Sequence, residues 1–214
     1  MPPTNPARRR ALADAAIDLL AASGVHGVTH RAVEKAAGLP YGTASNYFRS
    51  REALLVAAAE RIVELHHADM DEAARQYKTT AADVAGTPAQ IAGHFVDLLT
   101  ESLLGAATTL RTRYLAIFEL RLEAVRRPVL ATALAGLQDS SMRFTTGHHA
   151  ELGLSIPRES VSVLVALYGG ALFTLVTAPP GSVTREVVQG VVHAMVHGAL
   201  PGSDGAPPEE PEGR

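Results

Sequence analysis

The sequence contains no cysteine, and this absence excludes both disulfide frameworks and thiolate metal sites. A chain without disulfides is typical of a reducing compartment, so we expect a cytoplasmic location. The N-terminal MPPTNPARRR carries the positive charge of a signal peptide. However, Asp14 and Asp18 interrupt the apolar segment that follows it, and this pattern indicates an amphipathic helix instead.

Signatures of catalysis are also missing. The sequence has no glycine-rich phosphate loop after a strand, no Gly-x-Ser-x-Gly motif and no paired carboxylates in a recognisable catalytic context. We therefore expect neither an enzyme nor a bound cofactor.

The sequence offers little support for a metal site. Among nine histidines, His193 and His197 have the i, i+4 spacing that places two imidazoles on one helical face. Two ligands alone do not define a site, and no carboxylate lies within a turn on that face. We predict no metal site, and we expect the pair to pack in an interface between subunits.

No segment alternates well enough to predict a strand, whereas the 3.6-residue period of a helix runs through nearly the whole chain. The predicted fold class is all-α. Residues 1–61 carry eight Lys or Arg against five Asp or Glu, and residues 62–214 are acidic. A small basic N-terminal part followed by an acidic remainder indicates that only the N-terminal part binds a polyanion.

Capping residues and helix breakers mark the ends of the helices. Gly24 ends the first helix, Thr29 caps a second that ends at Gly38, and Pro40 precedes a short third helix. Ser50 caps a long fourth helix. The predicted helices cover about 7–23, 29–38, 40–48, 50–77, 88–104, 107–126, 128–152, 157–178 and 183–200.

This pattern divides the chain into three parts. Residues 1–49 form a three-helix domain whose first six residues are expected to be disordered, and residues 50–200 form a larger helical domain. Residues 201–214 are acidic and rich in proline and glycine. They cannot bury enough apolar surface to fold, so we predict a disordered tail.

The second and third helices, joined by a glycine-containing turn, have the arrangement of a helix-turn-helix. A helix in the major groove needs short or polar residues at its start, and this one has Tyr41, Gly42, Thr43, Ser45 and Asn46. Arg49 and Arg51 lie at the start of the next helix, where side-chain charge and free backbone N–H groups hold phosphate. Arg8, Arg9 and Arg10 are expected to add a mobile basic arm.

The block from Leu12 to Leu55 resembles the DNA-binding domain of TetR/AcrR-family transcriptional regulators. The similarity lies in AIDLLAASG, VTHRAVEKAAGL, GTASNYF and RSREALL, and in the spacing from Gly24 through Gly38 to the Tyr47-Phe48 pair. The resemblance implies an N-terminal three-helix DNA-binding domain and a larger C-terminal domain that binds a small-molecule inducer. It also implies a homodimer that binds a palindromic operator.

The resemblance assigns contacts to individual residues by position. The residues that would bind phosphate are Thr29, Tyr47 and Arg51. The residues that would face bases are Thr43, Ser45 and Asn46. Arg31 would reach a base or a phosphate, and Tyr41 would lie at the groove wall beside Gly42.

Two departures from the family pattern alter these expectations. Ala44-Ser45-Asn46 stands where the family commonly has Leu-Tyr-His, which removes a usual tyrosine contact. Pro40-Tyr41 replaces the commoner Ser-Lys and removes one phosphate contact. His30 is expected to be a bystander, and Phe48 is expected to lie in the core of the small domain.

The segment 162–178 is nearly free of charge, so a membrane span competes with a buried dimer helix. Arg158 and Glu159 adjoin the segment, threonines interrupt it, and the next helix is apolar but amphipathic. We therefore predict no membrane contact, and a homodimer through the helices at about 157–178 and 183–200, where several glycines permit close approach.

A ligand pocket is expected among the middle helices, lined by apolar and aromatic groups with a few polar anchors. The apolar candidates are Phe95, Leu99, Tyr114, Phe118, Met142, Phe144, Tyr168 and Phe173. The polar candidates are His94, Arg121 and His148.

Together these features predict a ligand-responsive, dimeric transcriptional regulator, in the simplest case a repressor that releases a palindromic operator when an inducer binds. The alternative is a helical small-molecule-binding or scaffolding protein that no longer reads specific DNA. The missing tyrosine and the modest basic charge of the N-terminal part keep this alternative open.

Overall fold

The computed structural model describes residues 5–81, 88–137, 139, 158–179 and 181–199. Every regular element within those ranges is an α-helix, which confirms the predicted all-α class. The helices are α1 Pro6–Gly27, α2 His30–Ala36, α3 Thr43–Tyr47, α4 Arg51–Ala81, α5 Pro88–Ala107, α6 Arg111–Ala124, α7 128–137, α8 Arg158–Thr177 and α9 Arg185–Ala199.

The start of α1 differs from the expected mobile arm. Asn5 caps the helix, because its side-chain oxygen accepts hydrogen bonds from the backbone N–H groups of Ala7 and Arg8 at 3.0 and 3.2 Å. Pro6 occupies the first helical position, where its missing N–H costs nothing. The prediction of a mobile basic arm at residues 8–10 is therefore wrong, since these arginines lie in the first turns of α1.

Gly24 interrupts α1 as its position in the sequence predicted. Its backbone has φ 65° and ψ −175°, which breaks the regular helix before a final turn that ends at Gly27. A φ in the left-handed region suits glycine, because a Cβ would crowd the following carbonyl. The kink redirects the chain into α2.

One hydrophobic core joins the first four helices to α6 and α7. Its fully buried members include Leu12 and Leu20 of α1, Leu55 of α4 and Leu120 of α6. The three N-terminal helices α1 to α3 therefore pack against α4, α6 and α7 as well as against one another.

A second hydrophobic core joins α5, α8 and α9, with Leu103, Val176 and Val188 fully buried. Helix α6 contributes to both cores: Ile117 belongs to the first, and Phe118 packs against the second. Thus α6 lies between the N-terminal helices and the C-terminal pair. None of the helices within the described ranges combines the length and apolar character needed to cross a bilayer.

Candidate nucleic-acid interface

Helix α2 begins as predicted. The Thr29 side chain accepts a hydrogen bond from the backbone N–H of Ala32 at 3.1 Å, which is the contact of an N-capping residue. After α2 ends, Gly38 adopts φ 65° and Gly42 adopts φ 85°. These two left-handed residues make the turn that brings α3 against α2.

Helix α3 has a buried face and an exposed face. Ala44 and Phe48 are 0% and 3% exposed and pack in the first core, four residues apart along the chain. Ser45 and Asn46 are exposed on the opposite side, and Tyr41 just before the helix is 86% exposed. Of the residues that were expected to face bases, Ser45 and Asn46 are therefore the ones exposed to solvent.

Thr43 is half-buried and already makes a local hydrogen bond. Its hydroxyl donates to the backbone carbonyl of Pro40 at 2.6 Å, and its backbone N–H donates to the same oxygen at 3.1 Å. The hydroxyl oxygen keeps lone pairs that can accept a further bond. Thr43 therefore closes the turn before α3.

Tyr47 ties α3 to the start of α1. Its hydroxyl oxygen accepts a hydrogen bond from the backbone N–H of Asn5 at 3.2 Å. A phenol that accepts one bond still carries a hydrogen to donate, so this geometry leaves Tyr47 a donor for a phosphate oxygen.

Arg51 was expected to bind phosphate, and its guanidinium has other partners here. Nε donates to the carbonyl of Val28 at 2.8 Å, and Nη2 donates to the carbonyl of Val25. Val25 lies in the last turn of α1, and Val28 lies between α1 and α2. Arg51 therefore holds this segment in place from the first turn of α4.

Three other cations provide an exposed positive surface around α3. Arg31 and Lys35 of α2 are exposed, and so is Arg49 between α3 and α4. Arginine and lysine side chains of this kind hold the phosphate backbone and carry no sequence information themselves. Arg9 has a different role, because its guanidinium lies 5.6 Å from the Phe48 ring centroid and pairs with Glu60 at 3.3 Å.

Helix α2 holds α3 at both ends through two residues whose roles were not predicted. The Glu34 carboxylate accepts a hydrogen bond from the backbone N–H of Ala44 at 2.7 Å. His30, expected to be a bystander, has Nε2 at 2.8 Å from the Phe48 carbonyl. Because a carbonyl only accepts, that nitrogen carries the proton. The i, i+4 spacing of these residues was the available sequence signal, since it places them on one face of α2.

An open groove of about 260 Å³ lies between α1 and α4. Its lining includes Arg9, Arg61 and Glu64, and Arg61 pairs with Asp14 and Glu64 at 2.8 Å each. The hydrogen bond to Asp14 is the main cause of a raised pKa for Arg61. These charges are paired with one another, and none of the predicted ligand residues lines the groove.

The structure brings several predicted pocket residues together in the body. The rings of Phe118 on α6 and Phe173 on α8 meet edge to face, 5.1 Å apart. The Tyr168 hydroxyl lies 2.7 Å from Ser102 Oγ. Burial raises the pKa of both Tyr168 and Tyr114 above the ordinary value.

Other predicted pocket residues are distributed differently. Phe95 is buried in the second core and Leu99 packs against it. His94 is half-buried on the same helix, whereas Arg121 is exposed. Met142, Phe144 and His148 lie outside the described residues. Across the part of the chain that the structure describes, no three His, Asp or Glu side chains are grouped to hold a metal ion.

Two family profiles match the chain. Residues 12–58 match the family described as bacterial regulatory proteins, tetR family. Residues 90–201 match the family described as tetracyclin repressor-like, C-terminal domain. No curated protein sequence matches the chain significantly.

Solved structures share the fold across most of the chain. A TetR-family transcriptional regulator from Mesorhizobium loti has a TM-score of 0.69 at 14% identity, covering 91% of this chain and 96% of its own. A transcriptional regulator from Rhodococcus sp. Rha1 has a TM-score of 0.67 at 21% identity, covering 95% and 100%. The multidrug binding protein EbrR complexed with proflavin is 26% identical, with a TM-score of 0.52, and covers 88% and 99%. EbrR has also been crystallised with ethidium.

Proposed function

The chain belongs to the TetR family of bacterial regulatory proteins, and from this premise we propose that it is a dimeric, ligand-responsive repressor. In this proposal, α3 enters the major groove of a palindromic operator. A small molecule that binds the C-terminal domain then releases the DNA. The protein works in the cytoplasm, and residues 1–49 and 50–200 are its DNA-binding and ligand-binding parts.

The observation that carries the proposal is the exposed face of α3. Ser45 and Asn46 project outward from a helix whose other face is fixed in the core. Short polar side chains of this kind donate to and accept from base edges in a major groove. Arg31 on α2 and Arg49 just after α3 are exposed cations, which supports phosphate contacts near this face.

A homodimer through α8 and α9 is supported by apolar side chains that the single chain leaves exposed. Val163 and Leu167 of α8 are 49% and 40% exposed, and Val187 of α9 is 48% exposed. Pairing this face with a second copy would remove it from water, as in the apolar centre of a homodimer interface. Two reading helices would then meet half-sites about 34–36 Å apart, or a multiple of that distance.

The proposed ligand site is the aromatic cluster where α6 meets α8. Phe118 and Phe173 form an edge-to-face pair there, and the half-buried Tyr114 and Tyr168 supply hydroxyl groups. Planar organic molecules stack on such rings, and a few polar groups fix their orientation. EbrR, at 26% identity, is complexed with the planar dyes proflavin and ethidium, which supports this ligand class.

Selection from a random duplex library tests the DNA-binding part of the proposal. We expect the full-length protein to enrich a palindrome and to bind it with a steep dependence on salt. If no sequence is enriched, the protein is better described by the alternative of a ligand-binding or scaffolding protein that does not read DNA.

Dye titration tests the ligand-binding part. Proflavin and ethidium are titrated into the protein without DNA, because both dyes also bind duplexes. Saturable binding that Phe118→Ala weakens is expected. Equal binding by wild type and variant would exclude this cluster as the site for such dyes.

A further inference from the structure

Helix α3, the second helix of the helix-turn-helix, has no capping side chain of its own at its N-terminus. It spans five residues, Thr43–Tyr47, and its N-cap is Gly42, which has no side chain to accept a hydrogen bond. The first N–H groups of any helix need acceptors from outside the helix, and a helix this short is not stable by itself. Its orientation must therefore be set by its neighbours.

The Glu34 carboxylate supplies the missing cap from α2. Glu34 is 3% exposed, and its Oε1 accepts from the backbone N–H of Ala44 at 2.7 Å. A negative charge at this end also suits the partial positive charge of the free N–H groups. Ala44 is itself fully buried and presents only a methyl group, so the carboxylate lies against the first turn of α3.

The other end of α3 is held from the same face of α2. His30 Nε2 donates to the carbonyl of Phe48, the residue at which α3 ends, at 2.8 Å. His30 and Glu34 are one helical turn apart, so their side chains point the same way. Helix α2 thus contacts both the start and the end of α3.

We propose that Glu34 is a specificity-determining positioning residue of the DNA-binding surface. It fixes the rotation of α3 about its own axis, and thereby the base edges that Ser45 and Asn46 meet, without touching DNA. Ser45 and Asn46 project from α3 about 100° apart around the helix axis. A rotation of α3 about that axis therefore moves both side chains relative to the base edges. The inference rests on the proposed function, since it assumes that α3 reads DNA.

This role makes a different prediction from that of a phosphate contact. Losing a phosphate contact weakens binding to all duplexes and reduces the salt dependence. Misplacing α3 weakens binding to the operator alone, because phosphate contacts from Arg31 and Arg49 do not depend on the base pairs. The ratio of operator affinity to scrambled-duplex affinity therefore isolates the positioning role.

The experiment compares Glu34→Asp and Glu34→Gln with wild type in the full-length protein. Glutamine keeps an acceptor of the same length, whereas aspartate keeps the charge on a shorter arm that cannot reach Ala44 without moving α3. Asp18→Asn is the matched control for charge, because Asp18 is exposed on α1 and its loss also raises the net charge by one. Dissociation constants are measured for the enriched operator and for a scrambled duplex over a range of salt.

We expect Glu34→Asp to lower the operator-to-scrambled ratio about ten-fold or more, with scrambled-duplex affinity and salt slope unchanged, whereas Glu34→Gln and Asp18→Asn keep the wild-type ratio. An unchanged ratio in Glu34→Asp overturns the positioning role, whether the two affinities stay at their wild-type values or fall by the same factor. If the wild-type protein enriches no operator, the proposed function itself fails. If the wild-type protein is selective and Glu34→Asp has the same ratio, only the positioning role of Glu34 fails.

Discussion

The Glu119 carboxylate of α6 accepts a hydrogen bond from the backbone N–H of Val25 at 3.1 Å, across 94 positions of sequence. Val25 directly follows the Gly24 kink, and its carbonyl accepts from the Arg51 guanidinium. The last turn of α1 is thus held by α6 at the Val25 N–H group and by α4 at the Val25 carbonyl. It is one place where the body contacts the backbone that leads into the helix-turn-helix.

Replacing Glu119 is expected to loosen this connection. Glu119→Ala leaves the Val25 N–H without its acceptor, which costs about 1–3 kcal/mol of unfolding free energy for a buried donor. Glu119→Gln keeps an oxygen in place and is expected to lose less. Urea denaturation gives the free energies, and exchange of the Val25 amide hydrogen should be fastest in the alanine variant. Glu72→Ala, an exposed site on α4, serves as a control that should stay within about 0.5 kcal/mol of wild type.

Gly24 and Gly38 both have φ 65°, so an alanine at either position is strained, by on the order of 1 kcal/mol or more. With ψ −175°, Gly24 also lies in a backbone region that is almost confined to glycine. A Cβ at Gly24 would lie 3.1 Å from a Glu119 carboxylate oxygen, whereas a Cβ at Gly38 would meet nothing within 4 Å. We expect Gly24→Ala to lower the melting temperature more than Gly38→Ala does. Equal losses would show that the carboxylate moves aside freely.

Arg51 and Arg31 are expected to affect DNA binding for different reasons. Arg51→Ala removes two hydrogen bonds to backbone carbonyls, so it should lower thermal stability together with affinity for every duplex. Arg31 is exposed, so Arg31→Ala should leave stability unchanged and reduce the salt slope by about one. Melting curves and salt titrations of the two variants check this difference. An Arg51→Ala variant with wild-type stability would favour the original assignment of Arg51 to phosphate alone.

His66 makes stability depend on pH. The residue is 9% exposed, and its Nε2 is buried without a partner among the described residues. Burial lowers its pKa below the ordinary 6.5; His67, Arg113 and Arg121 add to this effect, and Asp69 opposes it. The unfolded chain therefore binds a proton at His66 more readily than the folded chain does. Above about pH 6.5 the side chain is neutral in both states and does not affect the free energy of unfolding; below that pH the free energy of unfolding falls.

The measurement for His66 is urea denaturation between pH 5 and pH 8, for wild type and for His66→Leu. The difference between the two proteins removes the contributions of other titrating groups. We expect wild type to lose more stability than the variant on acidification. Parallel pH profiles would mean that His66 titrates as it does in the unfolded chain.

The sequence predicted the helices well, because their boundaries depend on local chemistry. Thr29 and Ser50 cap their helices in the structure as their residue types indicated. Gly24 and Gly38 adopt a positive φ, Gly24 where α1 is interrupted and Gly38 after α2 ends. Asn5 was missed, although it has the chemistry of a capping residue. The charge of the neighbouring arginines suggested a mobile arm, although the helix predicted over about 7–23 already included them.

The contacts that organise the site were harder to predict, since they join residues far apart in the chain. Nothing in the local sequence pairs Glu119 with Val25 or Arg51 with Val28. Glu34 was the nearest to being predictable. Gly42 leaves α3 without a cap of its own, and a carboxylate one turn after His30 on the adjoining helix was available to replace it.

Selection of operators by wild type and by a Ser45→Ala/Asn46→Ala variant, run side by side with Arg31→Ala, tests the central claim most directly. The claim is that the exposed face of α3 reads bases while the surrounding cations hold phosphates. It predicts that the double variant loses preference at the same positions of both half-sites, whereas Arg31→Ala enriches the wild-type sequence with lower affinity. An unchanged consensus from the double variant would contradict the claim.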